Sequence, residues 1–504
     1  MDDLLISESS KISRTDEPPA TRAAEAQSVA QPLPLYRVGT LVYTRRALVS
    51  VFLWMLWGNF CFTMMEMILP RLLPLQLQAL GASNFAIGLL VGTIPSAMNF
   101  VIAPIVSFKS DRYRSRLGRR IPFLLWPTPF LTLFLVLLGY SAAAAEAMHG
   151  WGIPAALGLS PTTLALAWIG LLVIGFVFFN MFVASVYYYL FNDVVPPQFL
   201  GRFMALYGVV GTMAAFVFNR WIFGWAEHHM KEVYLGVSVL YLVAFMLMCW
   251  RVREGEYPPP PPSDPNSGIF SSIWSGVRTY FTECYSHPYY LWFFLGTAFW
   301  SVSQASAVFM VFFAKDIGLS VDDFGKVLGW QSLLAAIILY PIGTIVDRLH
   351  PLRMVLFGIT TLIPFNLVFF FAVHGYNSFL IVSLLSLLPT AIFGAANLPM
   401  YMSILPRERY GQFCSAQAMV NAVLMIAGTA LAGKFMDWMR NDYRYLYVWM
   451  LVFQVLAVVC LMFVYRGWRR YGGPNNYVPP QVDVTPAPGF VAISMEQGQT
   501  RSEG

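Results

Sequence analysis

An all-α membrane protein of about twelve transmembrane helices, set in two pseudo-symmetric bundles of about six, is the fold class this sequence predicts. Three observations predict it. Hydrophobic residues make up 57% of the 504 and charged residues only 12%, against about 25% charged in a soluble domain. Uninterrupted apolar runs such as 121–140, 164–190 and 354–373 can each cross about 30 Å of hydrocarbon as a helix. The two halves of the chain also repeat each other's turn residues. Alternating barrel strands are excluded, because the runs are too long and too continuously apolar.

Taken in order, apolar runs between polar breaks place spans near 47–78, 84–108, 121–141, 162–190, 203–224 and 233–250, then near 290–314, 323–346, 352–373, 378–402, 412–434 and 444–465. Residues 1–44 mix Pro, Ser, Glu and Asp, lack the apolar core of a cleavable leader, and are expected to be a disordered N-terminus. Residues 45–250 form the first six-helix bundle and 290–470 the second. Between them the segment 251–289 contains the run Pro258 to Pro262, which cannot continue a helix and reads as a linker. Residues 471–504 are expected to be a disordered tail.

The repeat is specific. Leu80-Gly81-Ala82-Ser83 with Phe85 opens the second span, and Ile317-Gly318-Leu319-Ser320 with Phe324 opens the eighth. Asp111-Arg112 closes the second and Asp347-Arg348 the eighth. Pro196, Gly201 and Phe203 precede the fifth span at the spacing that Pro406, Gly411 and Phe413 keep before the eleventh. Such a duplication suits halves that rock about a central site, which a channel or an anchored enzyme does not need.

Orientation follows from the short loops. Residues 109–120 hold Lys109, Arg112, Arg114, Arg116, Arg119 and Arg120, while 142–161 hold no lysine or arginine, so the first loop is expected to be cytoplasmic. Arg45, Arg46, Arg348, Arg353, Arg466, Arg469 and Arg470 agree, and both termini are expected there. The same effect explains the net charge of +6 without nucleic acid. Five scattered cysteines read as core residues. No G-x-x-x-x-G-K-[ST] is present for ATP, and the six histidines show no metal spacing. No cofactor or metal is expected, and the chain is not expected to be an enzyme.

The run Ser107-Phe-Lys-Ser-Asp111-Arg112-Tyr-Arg-Ser-Arg-Leu-Gly118-Arg119-Arg120-Ile-Pro122-Phe123 resembles the loop motif of the major facilitator superfamily, in the longer form of its glycoside–pentoside–hexuronide and sucrose symporter branch. The resemblance spans roughly residues 45–470 and implies the major facilitator fold and transport by alternating access. Ser107 departs from the usual glycine. Carboxylates that sodium-using members carry in the second span are absent from 84–108, so sodium coupling by that route is not implied.

Ionisable residues at depth in a bilayer are costly and tend to be functional, and the set here is Glu66, Arg71 and Arg220. From the cytoplasmic ends, Glu66 lies about 28 Å along the first span and Arg220 about 27 Å along the fifth. The resemblance packs those helices together, so Glu66 is expected to pair with Arg220 or Arg71. It then acts either in proton coupling or as a structural ion pair. Near mid-depth Trp57, Asn59, Trp300, Gln304, Gln417 and Asn421 offer amides and aromatic faces that suit a neutral polyhydroxylated solute, or else bond neighbouring helices. Asn180, Gln331 and Asn397 lie nearer the helix ends. The resemblance makes Asp111, Arg112, Asp193, Arg202, Asp347 and Arg348 a cytoplasmic gate that latches the halves in the outward-facing state.

The function expected from the sequence is proton-coupled symport of a sugar or sugar-like solute, by a multi-pass monomer in the cell (inner) membrane. Its partners are the solute, the proton and the bilayer. Proton-antiport export of amphipathic compounds and a non-transporting sensor or scaffold are the alternatives.

Overall fold

The protein is described by a computed structural model over residues 36–151, 158, 160–257 and 284–480. Much of the expected linker and most of both expected tails lie outside the described residues.

Among the described residues eleven helices are long and apolar enough to cross a bilayer. In the first half they are α1 (Arg45–Ala79), α2 (Asn84–Arg112), α3 (Ile121–Gly139), α4 (Pro161–Val194), α5 (Pro197–Ala226) and α6 (Met230–Arg251). The second half contributes α7 (Pro288–Asp316), then α8 (Val321–Arg348, 28 residues), which stands where the eighth span is expected. It continues with α9 (Pro351–Ala372), α10 (Tyr376–Ile404), α11 (Arg407–Trp438) and α12 (Tyr445–Arg470). All twelve fall on the predicted runs. A short helix, Ser141–Gly150, lies between α3 and α4.

The repeated turns have one physical origin. Gly81 and Gly318 take left-handed backbone, at φ 73° and 82°, a region that favours glycine. The next-but-one residues, Ser83 and Ser320, cap the following helices by accepting from the amides of Ala86 (3.2 Å) and Asp323 (3.0 Å). Packing repeats as well. In the first half α1 packs on α5 and α6, α4 on α2 and α3, and α3 on α6. Each of these pairings has its counterpart among α7 to α12.

The halves meet along two seams, α2 against α11 and α5 against α8. Glycines let the backbones approach. A methyl group added at Gly88 would strike the Thr429 carbonyl, at Gly433 that of Asn84, and at Gly325 that of Asn219. Hydrogen bonds fix the first seam. The Asp437 carboxylate accepts from the amides of Asn84 (2.9 Å) and Phe85 (3.0 Å) at the start of α2, and the Thr93 hydroxyl donates to the Ile426 carbonyl at 2.8 Å. On the second seam Lys315 pairs with Glu227 at 2.9 Å. These contacts gather at the end of the bundle away from the arginine-rich loops, termed here the far face and the basic face. Toward the basic face Val101, Val209 and Ile337 on the same helices are exposed.

Two segments read from sequence as disordered are partly ordered. Residues 36–43 form an antiparallel hairpin, β1 (Tyr36–Val38) with β2 (Leu41–Tyr43), and Tyr36 packs edge-on against Phe199 at 5.1 Å. At the other end the Tyr477 hydroxyl donates to the Ile404 carbonyl at 2.8 Å.

A leucine at Gly433 has no room in the closed seam. Gly433→Leu should lengthen the distance between spin labels at Ala82 and Arg440, read by pulsed electron resonance. An unchanged distance would show that the glycine contact does not hold the far face shut.

Candidate solute cavity

Helix irregularity builds the site. The first span breaks at Met67, between Arg45–Glu66 and Ile68–Ala79, with Pro74 inside the second segment. In α7 the α-helix stops at Ser303 and winds as a 3₁₀ helix over Gln304–Phe309 before resuming. The two breaks face each other across a cavity of about 290 Å³ lined by Thr63, Glu66, Met67, Pro70, Arg71, Gln304, Ala307 and Val308. Three expected site residues therefore share one cavity: Glu66, Arg71 and Gln304.

Glu66 lies deep along α1 yet is exposed, because it opens onto this space. Its Oε1 accepts from the Asn180 amide of α4 at 2.6 Å. The expected arginine partner is replaced by a neutral one. Among the described residues no carboxylate stands within 4.0 Å of Arg71 or Arg220. Rotation explains part of this, since five residues advance a regular helix by about 140°, so Arg71 leaves the Glu66 face. Arg220 sits in a π-helical turn, Phe218–Ile222, that packs on Gly329 of α8.

The other candidates are distributed. Asn59 shares the Glu66 face of α1 but donates to the Tyr207 carbonyl at 2.8 Å. Trp57 lies about 180° round the helix from Glu66, stacks on Phe60 at 5.8 Å, and does not line the cavity. Trp300 packs on Phe393 at 4.0 Å. Gln417 donates to the Thr297 hydroxyl at 3.3 Å, tying α11 to α7. The Asn421 Oδ1 is buried without a hydrogen-bond partner. Gln331 donates to the Ser383 carbonyl at 2.9 Å.

On the basic face two of the expected gate residues, Asp111 and Asp193, join a network within the first half. Asp193 receives Arg119 at 2.6 Å and Arg120 at 3.2 Å, and Arg120 also pairs with Asp111. Partial burial works against the Arg119 charge, and the Asp193 carboxylate outweighs it, holding the guanidinium above its usual range. Glu254, not singled out from sequence, accepts from the backbone amides of Arg119 (2.9 Å), Arg120 (2.8 Å) and Ile121 (2.5 Å). Tyr257 lies beneath the Arg119 guanidinium at 4.2 Å. Arg202 and Arg348 are exposed, Arg112 is engaged, and the Asp347 side chain lies outside the described residues. Among the described residues no cluster of metal ligands is present.

The sequence pattern of the Major Facilitator Superfamily matches residues 293–488. No curated protein matches the chain. Among solved structures, a bacterial homolog to the human lysosomal transporter Spinster, inward-facing and occupied, aligns with TM-score 0.61 at 15% identity, covering 87% of this chain and 100% of its own. The nucleoside transporter NupG aligns with TM-score 0.61 at 11% identity, covering 82% and 100%. A bacterial homologue of the iron transporter ferroportin, inward-facing, aligns with TM-score 0.57 at 16% identity, covering 83% and 99%. The structural matches show the major facilitator fold, and the superfamily's sequence pattern matches the stretch 293–488.

Glu254→Ala strips three backbone amides of their acceptor and should cost about 1–3 kcal/mol. A fall in the apparent melting temperature of the detergent-solubilised protein checks this; wild-type melting would mean that water replaces the carboxylate without loss.

Proposed function

We propose that the protein is a secondary active transporter that couples inward movement of a small sugar-like solute to a proton, by alternating access about the Glu66 cavity. One observation carries the proposal. A carboxylate deep in the membrane-spanning region opens onto a cavity between the two lobes, beneath a far face closed by both seams. A carboxylate in the membrane-spanning region is costly and tends to be kept for a task. Glu66, held by an amide and by no permanent cation, is free to lose and regain its charge. The cavity admits a solute of roughly ten water volumes, the size of a small metabolite.

The arginine-rich face is proposed to be cytoplasmic, by the positive-inside rule, which makes this conformation inward-facing. Two of the similar structures carry that description in their own right. In the opposite state the basic ends of the lobes must meet, and Asp111 and Asp193 are then the carboxylates available to bridge them. Asp111→Asn should shift the balance toward the inward-facing state and slow uptake severalfold. Reporter distances across the basic face, together with initial rates, measure both, and leaving both unchanged would remove Asp111 from the gate.

The coupling role is tested in proteoliposomes under an imposed pH gradient. Glu66→Gln should abolish accumulation above equilibrium; accumulation equal to wild type would take the proton away from Glu66.

A further inference from the structure

Among the described residues the Arg71 guanidinium has no carboxylate or hydrogen-bond partner, and that points to the chemistry of the solute. The ionisable residues set deep in the spanning helices are Arg71, Arg220 and Glu66. They sum to +1 with Glu66 ionised and to +2 when it is protonated. Arg220 is set in the α5/α8 seam, with Gly329 close against its Cα and Cβ, whereas Arg71 lines the cavity itself. Among the described residues no carboxylate stands within 4.0 Å of Arg71, and no hydrogen bond occupies its guanidinium.

We infer that the solute is a small organic acid whose carboxylate docks on the Arg71 guanidinium. This rests on the transport role given above to the same cavity. A guanidinium offers a planar fork of donors that matches a carboxylate in bidentate fashion, and a permanently charged group without a counterion is costly away from water. The adjoining wall supplies Thr63 and Gln304 for the rest of the solute. Gln304 is exposed there, its amide donating to the Ser303 hydroxyl at 3.1 Å. Protonation of Glu66 removes the nearest competing negative charge from the cavity, so proton and acid favour each other's binding. The pair then crosses with one positive charge bound for each negative one.

The test uses the purified full chain and matched solutes of one size: glycerol, glycerate and serine, then glucose, gluconate and glucosamine. Thermal stabilisation and competition for uptake in proteoliposomes are read for each. The acids should bind about tenfold or more tightly than their neutral partners, Arg71→Gln should erase that preference, and Arg71→Lys should retain part of it. Arg71→Gln must first elute and melt as wild type. If it does not, the Arg71→Lys protein and the charge series on the wild type decide alone. Equal binding of glycerol, glucose or glucosamine, or a preference that survives Arg71→Gln, overturns the inference and leaves the transport role standing. Stabilisation and competition by no member of any charge overturns both.

Discussion

Backbone amides and carbonyls cannot be left open to hydrocarbon, so a spanning helix departs from regular α winding only where protein or a watery cavity covers the gap. Four irregular stretches in the spanning helices obey this limit. The break at Met67 and the 3₁₀ stretch Gln304–Phe309 face the cavity. The π-helical turns Leu89–Thr93 and Phe218–Ile222 lie on the two seams, against α11 and α8. Of the outer helices, α6, α9 and α12 are continuous, whereas α3 breaks once, at the exposed Trp126, where Pro127 starts a new segment. Apart from the break in α3, irregular backbone thus marks the surfaces that part and close, and the solute site sits where two such places meet.

The charges follow the same geometry. An ion in the spanning region needs a partner or a wet cavity, and Glu66 has both an amide and an opening. Its neutral partner matters for chemistry. A carboxylate locked to an arginine would keep its charge through the cycle, whereas one held by Asn180 can change state without leaving a buried cation behind.

Much of this was legible in the sequence, and the limits are physical. Span positions follow from hydropathy alone, and the duplicated Gly-x-Ser turns follow from backbone preference and helix capping, both local properties. Partner choice is not local. Glu66 and Arg71 are near in sequence and share a cavity, yet helix rotation separates their faces, and a residue count along its span puts Asn180 nearer a helix end than the cavity. Glu254 left no mark, since its role depends on a chain reversal that carries the residues after α6 back to the start of α3. The hairpin at 36–43 is similarly fixed by tertiary contact with Phe199. Composition, which reads the whole N-terminal stretch as one polar segment, cannot register it.

The duplication also says where coupling can reside. Met67 stands fourteen residues before Gly81, and Gln304 fourteen before Gly318, so the two helix breaks are equivalent positions of the repeat. The chemistry placed on them is not equivalent. At the positions matching Glu66 and Arg71 the second half carries Ser303 and Val308. The repeat therefore accounts for the cavity and the paired seams, while the titratable charges belong to one lobe. With both on α1, a change in Glu66 protonation is felt by that lobe and by whatever occupies the cavity, and the second lobe serves as the neutral wall against which the first one closes.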